Sequence, residues 1–259
     1  MLVKEKMSQR ELALRADVTP SYVSSVVNNT RPISHDFARK LEYIFGYKAE
    51  QWLLQQEVCA LDKIKLDEAI DPPRDEMKVL GKLQELTDYL KKVQQLKTES
   101  KDYELLVELR SWLQVSNLCR LPDLYLNSRY PPPPNKRANL SLLYTWCASC
   151  EKLGQSIVTG TPFDREKLRR GRQTAKEQFL GANSSEQVQQ VLDPYGIGIY
   201  LLPSFQGVSA RCFIYLNQQG TLVILAARAE DGDLELQHCL AGMLGRSAYL
   251  APEELPVMF

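Results

Sequence analysis

A chain of 259 residues exceeds what one small hydrophobic core organises, so the sequence implies two or three domains. Its composition, 44% hydrophobic and 25% charged, is that of a soluble globular protein. The formal net charge of zero excludes a polycation, so any nucleic-acid surface must be a local patch. No apolar run reaches the ~20 residues of a bilayer span, and the opening MLVKEKMSQRELALR alternates charges where a signal peptide carries an apolar stretch. The expectation is a cytoplasmic protein without membrane contact. Its six cysteines are scattered along the chain, which reads as reduced thiols and not as a disulfide framework.

The first elements are three short helices. Ser8 is a cap with Glu11 at capping-box spacing, and Leu12 and Ala13 lie on one face of the helix that follows. RADVT reads as a tight turn with Val18 turned inward. Thr19 and Pro20 have the types favoured at the cap and first position of a second helix, PSYVSSVVNN. Its apolar side is Tyr22, Val23, Val26 and Val27; its polar side is Ser21, Ser24, Ser25 and Asn28. NNTRP ends it, and Ser34 caps a third helix with Phe37, Leu41, Ile44 and Phe45 inward. Two short helices joined by a few residues, the second with a small polar face, form a helix-turn-helix whose second helix suits the major groove.

This stretch resembles the Xre (Cro/C1-type) family in its antitoxin-like branch, through SQRELA, VTPSYVSSVVNNTRPIS, ARKLEYIFG and AEQWL. The resemblance implies that Gln9 touches the DNA backbone or a base near the start of the second helix. It implies that Thr19, Ser21, Tyr22, Ser25 and Asn28 face double-stranded operator DNA and that Arg31 reaches a phosphate. A helical bundle serving only protein contacts is the alternative. Residues 1 to 56 carry eight Lys/Arg and six Asp/Glu, a net of +2, so one copy should hold DNA loosely and a homodimer is expected.

CALDKIKLDEAIDPPRDE reads as a link, stopped by Pro72-Pro73. From Asp75 one long helix is expected, with Leu83, Leu86, Leu90 and Val93 at seam spacing, as a bundle helix or a dimer contact. SKDYELLVELRSWLQVSNLCRLPDLYL is a further amphipathic helix with Leu105, Leu106, Leu109, Trp112 and Leu113 buried. SRYPPPPNKRAN is an exposed extended loop. LSLLYTWCASCEKLGQSI resumes helix. Its Cys147 and Cys150 have Cys-x-x-Cys spacing, but they lie within an amphipathic helix with no second pair, and read as buried thiols. PFDREKLRRGRQTAKEQF is locally basic, a solvated helix face or a phosphate patch.

After a helix closed by Pro194 and Gly196, the runs IGIYLLP, VSARCFIYLN and GTLVILAARA predict an antiparallel three-strand unit with NQQG as a hairpin turn. LELQHCLAGMLGRS reads as the next helix. The expected fold class is mainly α with a small antiparallel β-sheet. The expected domains are residues 1–70 (helix-turn-helix), 71–102 (linker and long helix) and 103–259 (α+β).

The order of helices, sheet and final helix resembles the ImmA/IrrE-type metallopeptidase domain over roughly residues 103 to 250. That family's zinc helix carries two histidines one turn apart and a glutamate between them. Here His238 keeps the first ligand position, Cys239 stands at the glutamate and Gly242 at the second histidine. Glu253 and Glu254 lie in a Pro-flanked stretch. The resemblance therefore implies a domain without hydrolytic chemistry, no metal site, no cofactor and no catalytic residue. His238 reads as a structural histidine or as part of an inherited pocket.

Two functions from different classes follow. One is a DNA-binding transcriptional regulator, with repressor as the expected sign and a prophage, mobile-element or toxin–antitoxin setting. Its C-terminal domain would sense a ligand or bind a partner. The other is an antitoxin or scaffold that mainly binds a toxin or other protein partner.

Overall fold

Three hydroxyl side chains set the first helices. Ser8 Oγ accepts from Glu11 N at 3.1 Å, Thr19 Oγ1 from Tyr22 N at 3.3 Å, and Ser34 Oγ from Phe37 N at 3.1 Å. Each satisfies a backbone N–H that the helix itself leaves without a partner, a contribution of about 1 kcal/mol per cap. The helices so started are α1 (Gln9–Arg15), α2 (Pro20–Val27) and α3 (His35–Phe45). Gly46, at φ 77°, ends α3 in the left-handed conformation that favours glycine. A computed structural model describes residues 7–133, 137–181, 185–208, 210–228 and 255–258. The chain divides into two compact units, Met1–Pro72 and Pro73–Phe259.

The first unit buries Leu12, Ala13, Ala16, Val23, Phe37 and Leu41, with Val18, Ile44, Phe45 and Trp52 packed against them. Its last helix, α4 (Ala49–Ile70), docks by its first two turns. Ala49 N donates to Glu42 Oε2 at 3.0 Å, and Ile33 N donates to Gln56 Oε1. The stretch expected as a link is thus helical through Ile70. Residues 57 to 70 are rich in Leu, Ala, Lys and Glu and contain no Gly or Pro, so helix propagates until Pro72-Pro73.

In the second unit, the single long helix expected from Asp75 is two: α5 (Arg74–Lys82) and α6 (Gln84–Lys92), broken at Leu83 (φ −101°, ψ 2°). The break turns Leu83, Leu86 and Leu90 into the unit's own core, where each is at most 1% exposed. The leucine stripe is therefore occupied within the chain and does not present a dimer seam. Next come α7 (Asp102–Leu113), α8 (Leu121–Leu126) and α9 (Leu140–Gly154). α10 (Arg165–Leu180) and α11 (Ser185–Leu192) precede the sheet.

The strands are β1 (Ile197–Pro203), β2 (Cys212–Leu216), β3 (Leu222–Arg228) and β4 (Val257–Met258), in the order β1-β3-β2-β4. The β2–β3 hairpin is antiparallel, as the NQQG turn predicts. Asn217 is the reason the turn holds: its Oδ1 accepts from Gln219 N and Thr221 N, and its Nδ2 donates to Ile157 O at 2.8 Å. β1 departs from the expected antiparallel unit. It lies beside β3 and parallel to it, with Ile199 opposite Ile224. β2 does not fold back on β1; it continues to the far side of β3, so the sheet is mixed. Strand alternation then serves two layers. Phe213, Tyr215, Val223 and Leu225 pack with α9, while Cys212, Ile214, Leu222 and Ile224 pack with Leu168 of α10 and Leu192 of α11.

Candidate nucleic-acid interface

The turn between α1 and α2 is fixed before any ligand arrives. Asp17 adopts φ 49°, Val18 N donates to Ala13 O at 3.0 Å, and Lys40 Nζ of α3 donates to Asp17 O at 3.3 Å. Thr19 is extended, which suits the proline that follows, and Pro20 costs no hydrogen bond at the first helical position. α2 consequently leaves the turn at a set angle, with Val23 buried beneath it.

At about 100° per residue, Ser21, Ser25 and Asn28 fall on one strip of α2. Ser21 and Asn28 are exposed and Ser25 is half-buried. Ser21 Oγ lies 3.1 Å from Thr19 Oγ1, and Ser25 Oγ donates to Ser21 O at 2.9 Å. Asn28 Nδ2 donates to Ser24 Oγ at 3.3 Å. Gln9 is half-exposed at the start of α1.

Tyr22 sits away from this strip. Its ring meets Phe37 edge-on with centroids 5.0 Å apart, and its hydroxyl donates to Ser34 Oγ at 3.3 Å. The Arg31 guanidinium lies 4.7 Å from the centre of the same ring. Tyr22 thus supports an exposed cation by cation–π contact. The turn that carries Arg31 is tied to α2 through one carbonyl: Ser25 O accepts from Thr30 N at 2.9 Å, Thr30 Oγ1 at 3.0 Å and Arg31 N at 3.2 Å.

Two exposed residues of this surface, Asn29 and Thr30, escaped the sequence reading. Asn29 adopts φ 56°, a conformation that asparagine tolerates better than most residues. The Asn-Asn-Thr run after a helix was the available signal. From Val18 to Ser34 the chain carries no acidic residue and one formal cation, Arg31. Nearby on α3, Arg39 donates to Tyr43 Oη at 3.2 Å, and this bond raises its already high pKa.

Of the second unit's sequence-marked groups, the two cysteines are structural. Cys147 and Cys150 are fully buried on α9, and burial pushes both thiols above their ordinary pKa. Thiolate chemistry is correspondingly disfavoured. On α10, Lys167 Nζ donates to Pro194 O at 2.8 Å and Arg169 pairs with Glu166 at 3.9 Å. Part of the basic run is therefore used by its own fold. Among the described residues no group of His, Cys, Asp and Glu has metal-holding geometry, and no helix is long and apolar enough to cross a membrane. The helix expected around His238, with Cys239, Gly242, Glu253 and Glu254, lies outside the described residues.

No curated protein and no solved structure matches the chain. Residues 1–52 match the family HTH_3, helix-turn-helix, so the first unit carries a helix-turn-helix of the Xre type, a DNA-binding class of domain.

Proposed function

We propose that the protein is a sequence-specific transcriptional regulator, acting as a repressor in a prophage, mobile-element or toxin–antitoxin setting. The observation that carries this reading is the strip of exposed Ser21, half-buried Ser25 and exposed Asn28, on the same Val18–Ser34 stretch as Arg31, which contains no acidic residue. Short hydroxyl and amide side chains on a helix can reach base edges, while one guanidinium positions a phosphate. Gln9 and Thr19, at the starts of α1 and α2, are placed in the same role, with helix N–H groups beside them for the backbone. A surface with so few cations holds non-specific DNA weakly, so the reading includes two copies on two half-sites.

The C-terminal unit is assigned a sensing or partner-binding role without catalysis. Support for this comes from the resemblance read in the sequence, under which Cys239 and Gly242 would stand where hydrolysis needs a glutamate and a second histidine. Genomic footprinting of the tagged full chain tests the proposal. Discrete protected sites with two-fold related halves are expected. Recovery of no DNA above an untagged control, with a stoichiometric protein partner instead, would replace it by the antitoxin or scaffold reading.

A further inference from the structure

α4 is a 22-residue helix with no buried residue. Such a helix is marginal in water unless an apolar face is packed. Past Gln56 it shows Val58, Leu61 and Ile64 to solvent, at 42%, 55% and 58% exposure, and Leu66 and Ile70 on the opposite side. Leu54, 65% exposed, falls with Val58, Leu61 and Ile64 on one side of the helix, within an arc of about 120°.

We propose that this face pairs with α4 of a second copy, antiparallel, about a two-fold axis at Leu61. The proposal rests on the DNA-binding reading for its need of two copies, and it names the surface that joins them. The sequence is self-complementary about Leu61. Val58 and Ile64 stand three residues to either side, so each faces the other's counterpart across the axis. Glu57 and Lys65 stand four residues to either side, so two unlike-charge pairs flank the apolar centre. Lys65 now makes only a long, exposed contact with Asp62, at 3.8 Å, which leaves it within reach of other partners. A parallel pair would instead set Glu57 against Glu57 and Lys65 against Lys65. An isologous antiparallel contact is the arrangement in which this face matches itself.

The geometry also suits the function. Trp52, which anchors α4 to the first unit's core, lies nine residues before Leu61. At 1.5 Å per residue the two anchors stand about 27 Å apart along the paired helices, with the helix-turn-helix cores at the outer ends. Half-sites one turn of B-DNA apart require about 34 Å between centres.

Sedimentation equilibrium of the full chain without DNA is the test, with circular dichroism to confirm that each variant keeps its helix content. The wild type is expected to dimerise near micromolar concentration, as suits a contact this short. Leu61→Glu should weaken the dimer by about a hundredfold or more, because both copies lose the central apolar contact. Glu57→Lys should also weaken it, and Glu57→Lys with Lys65→Glu should restore it. A monomeric wild type, or a dimer indifferent to Leu61→Glu, would overturn the proposal. A dimer unmoved by Glu57→Lys would overturn the antiparallel register. None of these readings involves DNA, so they stand or fall separately from the footprinting result.

Discussion

Ser25 works at two levels on one residue. Its carbonyl gathers the Asn28–Arg31 turn, and its hydroxyl returns to Ser21 O within the helix. Substituting the side chain leaves the carbonyl in place, so the fold should survive a change that the interface does not. Ser25→Glu is expected to lower operator affinity by about a hundredfold or more, by setting a carboxylate against phosphates and base acceptors. Mobility shifts on a footprinted fragment measure this, and wild-type affinity would refute the placement of Ser25. Arg31→Ala should weaken binding evenly across sequences and reduce the salt slope by about 1, the mark of one lost phosphate contact.

Glu76 shows the opposite use of charge at the same scale. Its carboxylate is buried, which by itself would raise its pKa. Arg110 and the Leu118 N–H outweigh burial and hold it below the ordinary glutamate value. Arg110 Nε donates at 3.0 Å, a second guanidinium nitrogen completes the fork, and Leu118 N donates at 2.7 Å. Glu76→Ala should destabilise the second unit by about 3 kcal/mol at neutral pH, because the Arg110 charge then lacks its buried carboxylate. The folded pKa is depressed, so the contribution is present above the unfolded glutamate pKa and is lost as pH falls through the lower folded value. Urea unfolding followed by tryptophan fluorescence should therefore show the gap to wild type closing in acid. A gap independent of pH would count against the ion pair as its source.

Among the elements, α9 and the sheet define how tightly the second unit can pack. Gly154 ends α9 over β2 and β3, where a Cβ would run into the Tyr215 hydroxyl and come within 2.9 Å of Val223 Cγ1. The Tyr215 hydroxyl is itself committed, donating to Glu151 O at 2.7 Å. Gly154→Ala is thus expected to cost about 1–3 kcal/mol as an overpacking change, despite alanine's better helix propensity. A thermal melt at or above the wild-type midpoint would show that the helix can shift off the sheet at no cost.

Catalysis is a property of the whole molecule, since an open zinc site needs about three protein ligands brought together. The chain has two histidines, His35 in the first unit and His238, and a helix over the His238 stretch, as the sequence predicts, would set Cys239 about 100° away from His238. Purified protein is expected to hold no stoichiometric zinc, and His238→Ala should leave operator affinity within a few-fold of wild type. Elemental analysis giving one zinc per chain, lost in His238→Ala, would reinstate a metal centre.

Local chemistry along the chain by itself determined the helix-turn-helix. Caps at Ser8, Thr19 and Ser34, proline at the first position of α2 and the polar face of that helix are contacts within a few residues, so they are written in the order of the residues. The same holds for the Asn217–Gly220 turn and the burial of Cys147 and Cys150 within an amphipathic helix. Only the tertiary structure decided what pairs over distance. The parallel placement of β1 against β3 depends on which edge a strand finds after a crossover, and no periodicity within the strand encodes it. The break at Leu83 follows from the core that Leu83, Leu86 and Leu90 fill, because a straight helix and a broken one share the same spacing there. Leu61 and Ile64 read as part of a link, and only the structure showed them on a continuous helix, exposed on one side with Leu54 and Val58.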